Sequence, residues 1–346
     1  MYQAVDYKQV FATGNELLDC CANFNFDQNK VFDDLKVGLR KELNKLKTIN
    51  WYNALRLRHD LTTAYSMERK FDASSFSSVE GQTIHHNKWR SYRDGRHKPN
   101  KLTIQRVDEL SPDSSYEICC MLWDALDVSL PIGQHANVML KNMNSHIQNA
   151  VFQRRIASHD PLIRKTSINK IALEINRNCD LDTLAALTVL TRESIETHDM
   201  KTAYFWAKHL YKHLLMLGLT LHTRGVACSI IHIYRKKIFN EINFEDCHFA
   251  DSEPEIVQAC TYLAILVYDC NGNRDANLVW KDRVTCMKKL LKGGFGWDVF
   301  FAMQPQWVPK NKDIVKNDAK YEREMRFRRW GWDSIFGKVP KEDCPF

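Results

Sequence analysis

Glycine and proline are scarce in this chain, and that scarcity limits the folds open to it. The 346 residues include only 13 glycines and 9 prolines. Sheet architectures need many tight turns, for which these residues are the usual choice, and hardly any stretch alternates apolar and polar residues for long. Apolar residues instead recur every three or four positions, the spacing of one helix face, as in Val31, Leu35, Leu39, Leu43 and Leu46. The sequence predicts an all-α fold.

Chain length and one turn-rich segment indicate two parts. At 346 residues, the chain exceeds the size at which a single hydrophobic core usually stops growing. Pro131 and Gly133 interrupt the helical pattern in segment 127–134, with a basic segment before it and long apolar helices after it. We therefore predict an N-terminal helical domain over residues 1–130 and a C-terminal α-helical bundle over residues 135–346. Helices are expected in the bundle near residues 162–176, 181–197, 200–217, 223–242, 254–269 and 274–291.

The sequence carries no signal of a membrane or exported protein. It has no run of about 18 uncharged apolar residues, the length that a membrane span requires. Its first residues lack the basic stretch followed by an apolar one that a secretory signal needs. Its eleven cysteines nowhere have C-x-x-C spacing, so they indicate buried thiols in a reducing compartment rather than a zinc site. We predict a cytoplasmic protein without membrane contact.

Motifs of the common enzyme classes are absent from the sequence. It has no glycine-rich phosphate loop, no G-x-S-x-G nucleophile elbow and no H-E-x-x-H metal motif. His209 and His213 stand one helical turn apart without an evident third metal ligand, and the acids around His248 are typical of a loop that precedes a helix. The sequence predicts no catalytic residue, no metal and no cofactor. An enzyme whose site is assembled from scattered residues stays an open alternative.

The net charge of +7 is concentrated in two segments. The segment 310–329 carries eight basic and four acidic residues, and its alternating signs are typical of an exposed, ion-paired helix. The segment 85–101 opposes six basic residues with one acid, Asp94. These six residues are Lys88, Arg90, Arg93, Arg96, Lys98 and Lys101. Such a density of cations predicts contact with several phosphates.

Turn signals divide the segment 85–110 into two short helices. The first is expected from His85 to Asp94, because Gly95 suits the left-handed position that ends a helix. Pro99 then helps to start the second helix. Helical spacing predicts that Trp89 and Tyr92 of the first helix share a core with the second helix, and that basic side chains stay outside. The inward residues expected in the second helix are Leu102, either Ile104 or Val107, and Leu110.

Trp89, Tyr92, Gly95 and Pro99 follow one another at intervals of three, three and four residues. This arrangement resembles the second half of the helix-turn-helix domain of the Cro and phage-repressor family. In that family the helix that carries the first two positions lies in the DNA major groove. The resemblance implies base or phosphate contacts by His86, Asn87, Lys88, Arg90 and Ser91, with Asn87 able to pair with adenine.

Charge and resemblance together predict a protein that binds duplex DNA. It would be a transcriptional regulator of bacterial or phage type, or a component of a phage-defence or mobile-element system. The C-terminal bundle would supply contact with a second copy or another protein. RNA, or an acidic protein on the basic segment, stays open, and the alternative function is a helical scaffold or adaptor in a multiprotein assembly. The predicted DNA-binding residues are His86, Asn87, Lys88, Arg90, Ser91, Arg93, Arg96, Lys98 and Lys101.

Overall fold

The computed structural model confirms the all-α class. It describes residues 7–22, 36–73, 76–79, 82–85, 87–153, 163–270, 272, 277–310 and 319–345. The two sheets in these ranges each consist of two short antiparallel strands. Among the described residues, no helix combines the length and the apolar character needed to cross a membrane.

Helices dominate the first part of the chain. They are α1 (Tyr7–Ala22), α2 (Lys36–Arg58), α3 (Ala64–Phe71), α4 (Lys88–Arg93), α5 (Lys101–Leu110), α6 (Tyr116–Cys119), α7 (Leu122–Leu126), α8 (Ala136–Lys141) and α9 (Ser145–Val151). A hairpin of strands β1 (Phe76–Val79) and β2 (Gln82–His85) lies between α3 and α4. The predicted start of α4 at His85 is wrong, because that residue belongs to β2.

The six helices predicted for the second part are all present. They are α10 (Ile168–Ile175), α11 (Leu181–Glu196), α12 (Met200–Thr223), α13 (Ala227–Lys237), α14 (Glu253–Cys270) and α15 (Trp280–Leu290). The chain continues into α16 (Trp297–Ala302) and α17 (Ala319–Ile335). Strands β3 (Cys247–Phe249) and β4 (Trp307–Pro309) pair with each other. Capping fixes where α11 begins: the side chain of Asp180 accepts a hydrogen bond of 2.7 Å from the backbone of Thr183.

Two clusters of buried apolar residues form the core. The larger one is centred on α11, α12 and α14 and takes residues from Val10 to Met303. The smaller one joins α2, α3, α4, α5 and α6, and its residues are Trp51, Tyr52, Leu55, Met67, Phe71, Trp89, Tyr92, Val107 and Ile118. The basic segment therefore belongs to the smaller cluster.

The segment 127–134, at the predicted domain boundary, is held against α11. Arg192 donates hydrogen bonds to the carbonyl oxygens of Ala125, Asp127 and Leu130 over 2.6–3.1 Å. Glu196 accepts hydrogen bonds of 2.7 Å from the backbone of residues 132 and 133. The larger core includes residues on both sides of this segment. The division into residues 1–130 and 135–346 stays a prediction.

The crossing of α1 and α14 depends on the absence of a side chain at Gly14. A Cβ atom there would lie 2.4 Å from Cγ2 of Thr261. We expect Gly14→Ala to lower the free energy of unfolding by about 1–3 kcal/mol, the usual effect of overpacking a core. Urea unfolding would measure this change.

Thr261→Ser provides the control for Gly14→Ala. It removes Cγ2 and leaves the nearest remaining atoms of residue 261 at 3.5 and 3.6 Å from the added Cβ, an ordinary contact distance. In that background we expect Gly14→Ala to be neutral or to stabilise by about 0.5–1 kcal/mol, because alanine is the better helix former. An equal loss of stability in both backgrounds would contradict the steric explanation.

Candidate nucleic-acid interface

Helix α4 is anchored through its apolar face. Trp89 is fully buried and Tyr92 is 2 % exposed. The Trp89 ring stacks between Trp51 and Phe71, at centroid distances of 5.6 and 5.5 Å. Because these two positions are three residues apart, they lie on one face of α4, and Arg90 and Arg93 are left exposed. The predicted burial of Trp89 and Tyr92 is confirmed.

The turn after α4 requires glycine for two reasons. Gly95 has a φ of +65°, a left-handed conformation that disfavours other residues. A Cβ atom at this position would also lie 2.4 Å from Cγ of Lys45 in α2. The backbone N–H of Arg96 donates to the carbonyl oxygen of Ser91 at 2.8 Å, which closes the end of α4 as predicted.

Helix α5 presents a different face to the core from the one predicted. Val107 is fully buried and Thr103 is 7 % exposed, while Leu102 is 71 % and Leu110 53 % exposed. Val107 was one of the two expected alternatives, but the inward placement of Leu102 and Leu110 is wrong. The physical reason is tertiary packing: the smaller core takes up Val107, and in this orientation Arg106 donates a hydrogen bond of 2.6 Å to Asp72 after α3.

Asp72 also forms an ion pair with Lys88, one of the residues predicted to contact phosphate. The Lys88 ammonium lies 3.6 Å from the Asp72 carboxylate, whose side chain is only 7 % exposed. The same ammonium lies 3.5 Å from the hydroxyl of Thr103. Lys88 therefore contributes to the packing of α3, α4 and α5 against one another.

Three of the predicted arginines gather around Asp94. Arg93 donates a hydrogen bond of 2.9 Å to one carboxylate oxygen, and Arg96 lies 3.2 Å from the other. The hydrogen bond from Arg93 and the charges of Arg93, Arg96 and Arg90 lower the pKa of Asp94. A carboxylate shared in this way fixes guanidinium groups in place while leaving an excess of positive charge. Arg90, Arg93 and Arg96 are all exposed.

A second group of cations lines a groove beside the turn. Lys98 and Lys101 are exposed and share this groove with Lys47 of α2 and with Asp124. Burial, and then the like charge of Lys98, lower the pKa of Lys47. Sequence reasoning missed Lys47 because it lies in another helix, and only the packing of α2 against the turn brings it to this surface.

Three of the predicted DNA-binding residues remain: Asn87, Ser91 and His86. Asn87 precedes α4 with a φ of +53° and is exposed, and its side chain does not cap the helix. Ser91 is half-buried. His86 lies outside the described residues. The structure thus brings Asn87, Arg90 and Ser91 to the start and middle of α4, and the remaining exposed cations to its end and the following turn.

The second basic segment has a different character. Its described part forms α17, in which Arg328 pairs with the fully buried carboxylate of Asp251 and donates a hydrogen bond to the carbonyl oxygen of Gln304. Arg323 and Arg326 of the same helix are exposed. The exposed arginines of α17 can therefore be compared with those of α4.

No metal-binding group of three or more histidine, cysteine, aspartate or glutamate residues occurs in the described ranges. The ten cysteines whose side chains the structure describes are free thiols. Cys120, Cys179, Cys228, Cys260 and Cys286 are buried, whereas Cys20 and Cys119 are exposed. Burial raises the pKa of the Cys270 thiol to about 11, and this shift disfavours the reactive thiolate form.

The elements around α4 give the structural context of the Cro-like resemblance. Helix α4, the Gly95 turn and α5 follow one another in the predicted order. The hairpin of β1 and β2 comes directly before α4, and the preceding helix, α3, packs against both α4 and α5. Comparisons with protein-family models, with curated proteins and with solved structures find no match to this chain. The resemblance stays a prediction that rests on the spacing of Trp89, Tyr92, Gly95 and Pro99.

Proposed function

We propose that this protein binds duplex DNA through the surface formed by α4, the Gly95 turn and the start of α5. The observation that carries the proposal is a set of exposed cations arranged around a rigid turn. These cations are Arg90, Arg93, Arg96, Lys98 and Lys101, with Lys47 beside them. Asp94 and Asp124 are described acids near them, fewer than the six cations, so this group keeps a positive excess that favours phosphate.

Each group of residues would have its own role in this complex. The guanidinium groups held by Asp94 can form paired hydrogen bonds with phosphate oxygens, and Lys98 and Lys101 add point charges along the backbone. Asn87, Arg90 and Ser91, at the start and on the outer face of α4, would approach the base edges. Lys88 would act indirectly, by holding α4 against Asp72. Binding of this kind fits a transcriptional regulator or a component of a defence or mobile-element system.

Fluorescence anisotropy with a random duplex DNA at several salt concentrations tests the proposal. We expect affinity to fall steeply as salt rises, because each phosphate contact contributes about 0.9 to the slope of log K against log salt. Arg90→Ala/Arg93→Ala should reduce that slope by about two and weaken binding about tenfold or more. The same titration with duplex RNA compares the two nucleic acids.

Arg323→Ala/Arg326→Ala is the matched control. It removes the same charge and the same residue type from the exposed side of α17, and binding should stay close to that of the unaltered protein. Equal losses in the two double variants would show attraction to net charge alone and would contradict a site at α4. Absence of DNA binding by a folded protein would overturn the proposal.

A further inference from the structure

A further group of basic residues, outside the two basic segments of the sequence, surrounds a cavity of about 560 Å³ in the C-terminal part. Helices α10, α12 and α15 and the turn that follows α15 form its walls. Five basic side chains line it: Arg177, Lys212, Lys288, Lys289 and Lys292. Among its described lining residues there is no aspartate or glutamate. The charged residues that line this concave site are all basic, and such sites concentrate anions.

No carboxylate of the described residues lies within ion-pairing distance of these five cations. Glu174 of α10, the nearest acid in that helix, is already paired with Lys165 at 2.7 Å. Lys288 is held by the carbonyl oxygen of Arg177, 2.7 Å from its ammonium. The charge of Asp180 acts on Lys288, and apart from that the described residues hold this group of cations together without an ion pair.

Helix ends explain only part of this arrangement. Lys288 and Lys289 lie in the last turn of α15, where basic residues interact favourably with the helix dipole. Lys212 has no such explanation, because it lies in the interior of α12 and is half-buried. Burial, followed by the charges of Lys208 and Lys292, lowers the pKa of Lys212. A cation held in an unfavourable position of this kind gains stability when an anion arrives.

Apolar and aromatic side chains also line the cavity. Phe205, Met216 and Leu173 line it, and Leu173 is 62 % exposed although it is a large apolar residue. His209 packs edge-on against Phe205 at a centroid distance of 4.9 Å. Its Nδ1 lies 2.8 Å from the side-chain nitrogen of Asn176. Burial, and then the charge of Lys212, lower the pKa of His209 to about 4, so the ring is neutral near pH 7.

Asn176 provides a further polar group at the same place. Its amide nitrogen faces His209, and its buried side-chain oxygen has no hydrogen-bond partner among the described residues. A buried acceptor without a partner is costly unless a ligand or water satisfies it. The cavity thus combines multiple cations, an apolar surface and an unused hydrogen-bond acceptor.

We propose that this cavity binds a small molecule that carries several phosphate charges and an aromatic ring, of the nucleoside triphosphate class. The phosphates would lie against Lys212, Lys288, Lys289 and Lys292. The ring would lie on Phe205, which packs beside His209 and is therefore close to Asn176. Ligand sites commonly pair an apolar surface with a few convergent polar groups in this way. This inference is independent of the DNA-binding proposal, since it uses neither α4 nor the Gly95 turn.

Isothermal titration calorimetry with ATP, sodium tripolyphosphate and adenosine tests the site. We expect ATP to bind about tenfold more tightly than tripolyphosphate, and adenosine to give no measurable heat. Lys212→Met keeps most of the side-chain volume and should weaken ATP binding about tenfold, the usual effect of losing one hydrogen bond to a charged group. Lys289→Ala, at an exposed position, should also weaken ATP binding with no effect on folding.

Lys201→Met, at an exposed position of the same helix α12, is the matched control and should bind ATP normally. Arg90→Ala/Arg93→Ala should do the same, which separates this site from the proposed DNA surface. The proposal is overturned if neither ATP nor tripolyphosphate binds, or if Lys212→Met and Lys289→Ala bind ATP like the unaltered protein. Equal affinities for ATP and tripolyphosphate would overturn the aromatic part of the ligand.

Discussion

Glu117→Ala is expected to lower the free energy of unfolding by about 3–5 kcal/mol, because it leaves the Arg224 guanidinium buried without its partner. Both side chains are nearly inaccessible, at 9 % and 10 % exposure. Arg224 binds both carboxylate oxygens of Glu117, one of them at 3.0 Å. Asn50 adds a hydrogen bond of 3.2 Å to the same carboxylate. The network joins α2 and α6 to the end of α12, and calorimetry would measure its loss.

The double variant Glu117→Leu/Arg224→Met distinguishes the effect of breaking the ion pair from the cost of burying two charged groups. A buried ion pair that is replaced by apolar residues of similar size often changes stability little, since both desolvation penalties disappear together. We expect the double variant to recover most of the stability lost in Glu117→Ala. A loss below about 1 kcal/mol in Glu117→Ala itself would show that Arg224 finds water or another partner there.

Trp89→Ala is expected to lower the free energy of unfolding by about 3–5 kcal/mol, as usual for removing a large aromatic side chain from a core. Trp89 is fully buried and contacts the rings of Trp51, Phe71 and Tyr92 at centroid distances of 5.5–5.7 Å. Its removal would empty the centre of the smaller core. Because α4 is only six residues long, it depends on this anchor more than on its own hydrogen bonds.

Trp89→Phe is the informative control. The indole nitrogen of Trp89 has no hydrogen-bond partner among the described residues, so phenylalanine would lose volume but no hydrogen bond. We expect a smaller loss, of about 1–2 kcal/mol. Urea unfolding followed by circular dichroism would measure the loss of stability in each variant. Similar losses for alanine and phenylalanine would contradict the explanation that the loss grows with the ring volume removed.

Features that depend on neighbouring residues were predictable from the sequence. The apolar spacing along α11, α12 and α14 is a property of each helix, and it predicted the all-α class and these helices. The turn at Gly95 follows from the conformational freedom of glycine, and Pro99 indicated the start of the next helix. The structure adds the cap of that helix, Asn100, whose side chain accepts a hydrogen bond of 2.7 Å from the backbone of Thr103. The density of cations in the segment 85–101 is also local, so the sequence alone identified the candidate surface.

Features that depend on residues far apart in the chain were decided only by the tertiary structure. Helical spacing allowed several inward faces for α5, and the packing of Val107 into the smaller core selected one. The Asp72 carboxylate after α3 pairs with Lys88, whose side chain stays 39 % exposed. Lys47 reaches the groove beside Lys98 because α2 packs under the Gly95 turn. Lys212 and Lys292 likewise meet at one cavity because α12 and α15 both pack against α14. The pattern along a helix defines its apolar face but not the partner that the face will meet.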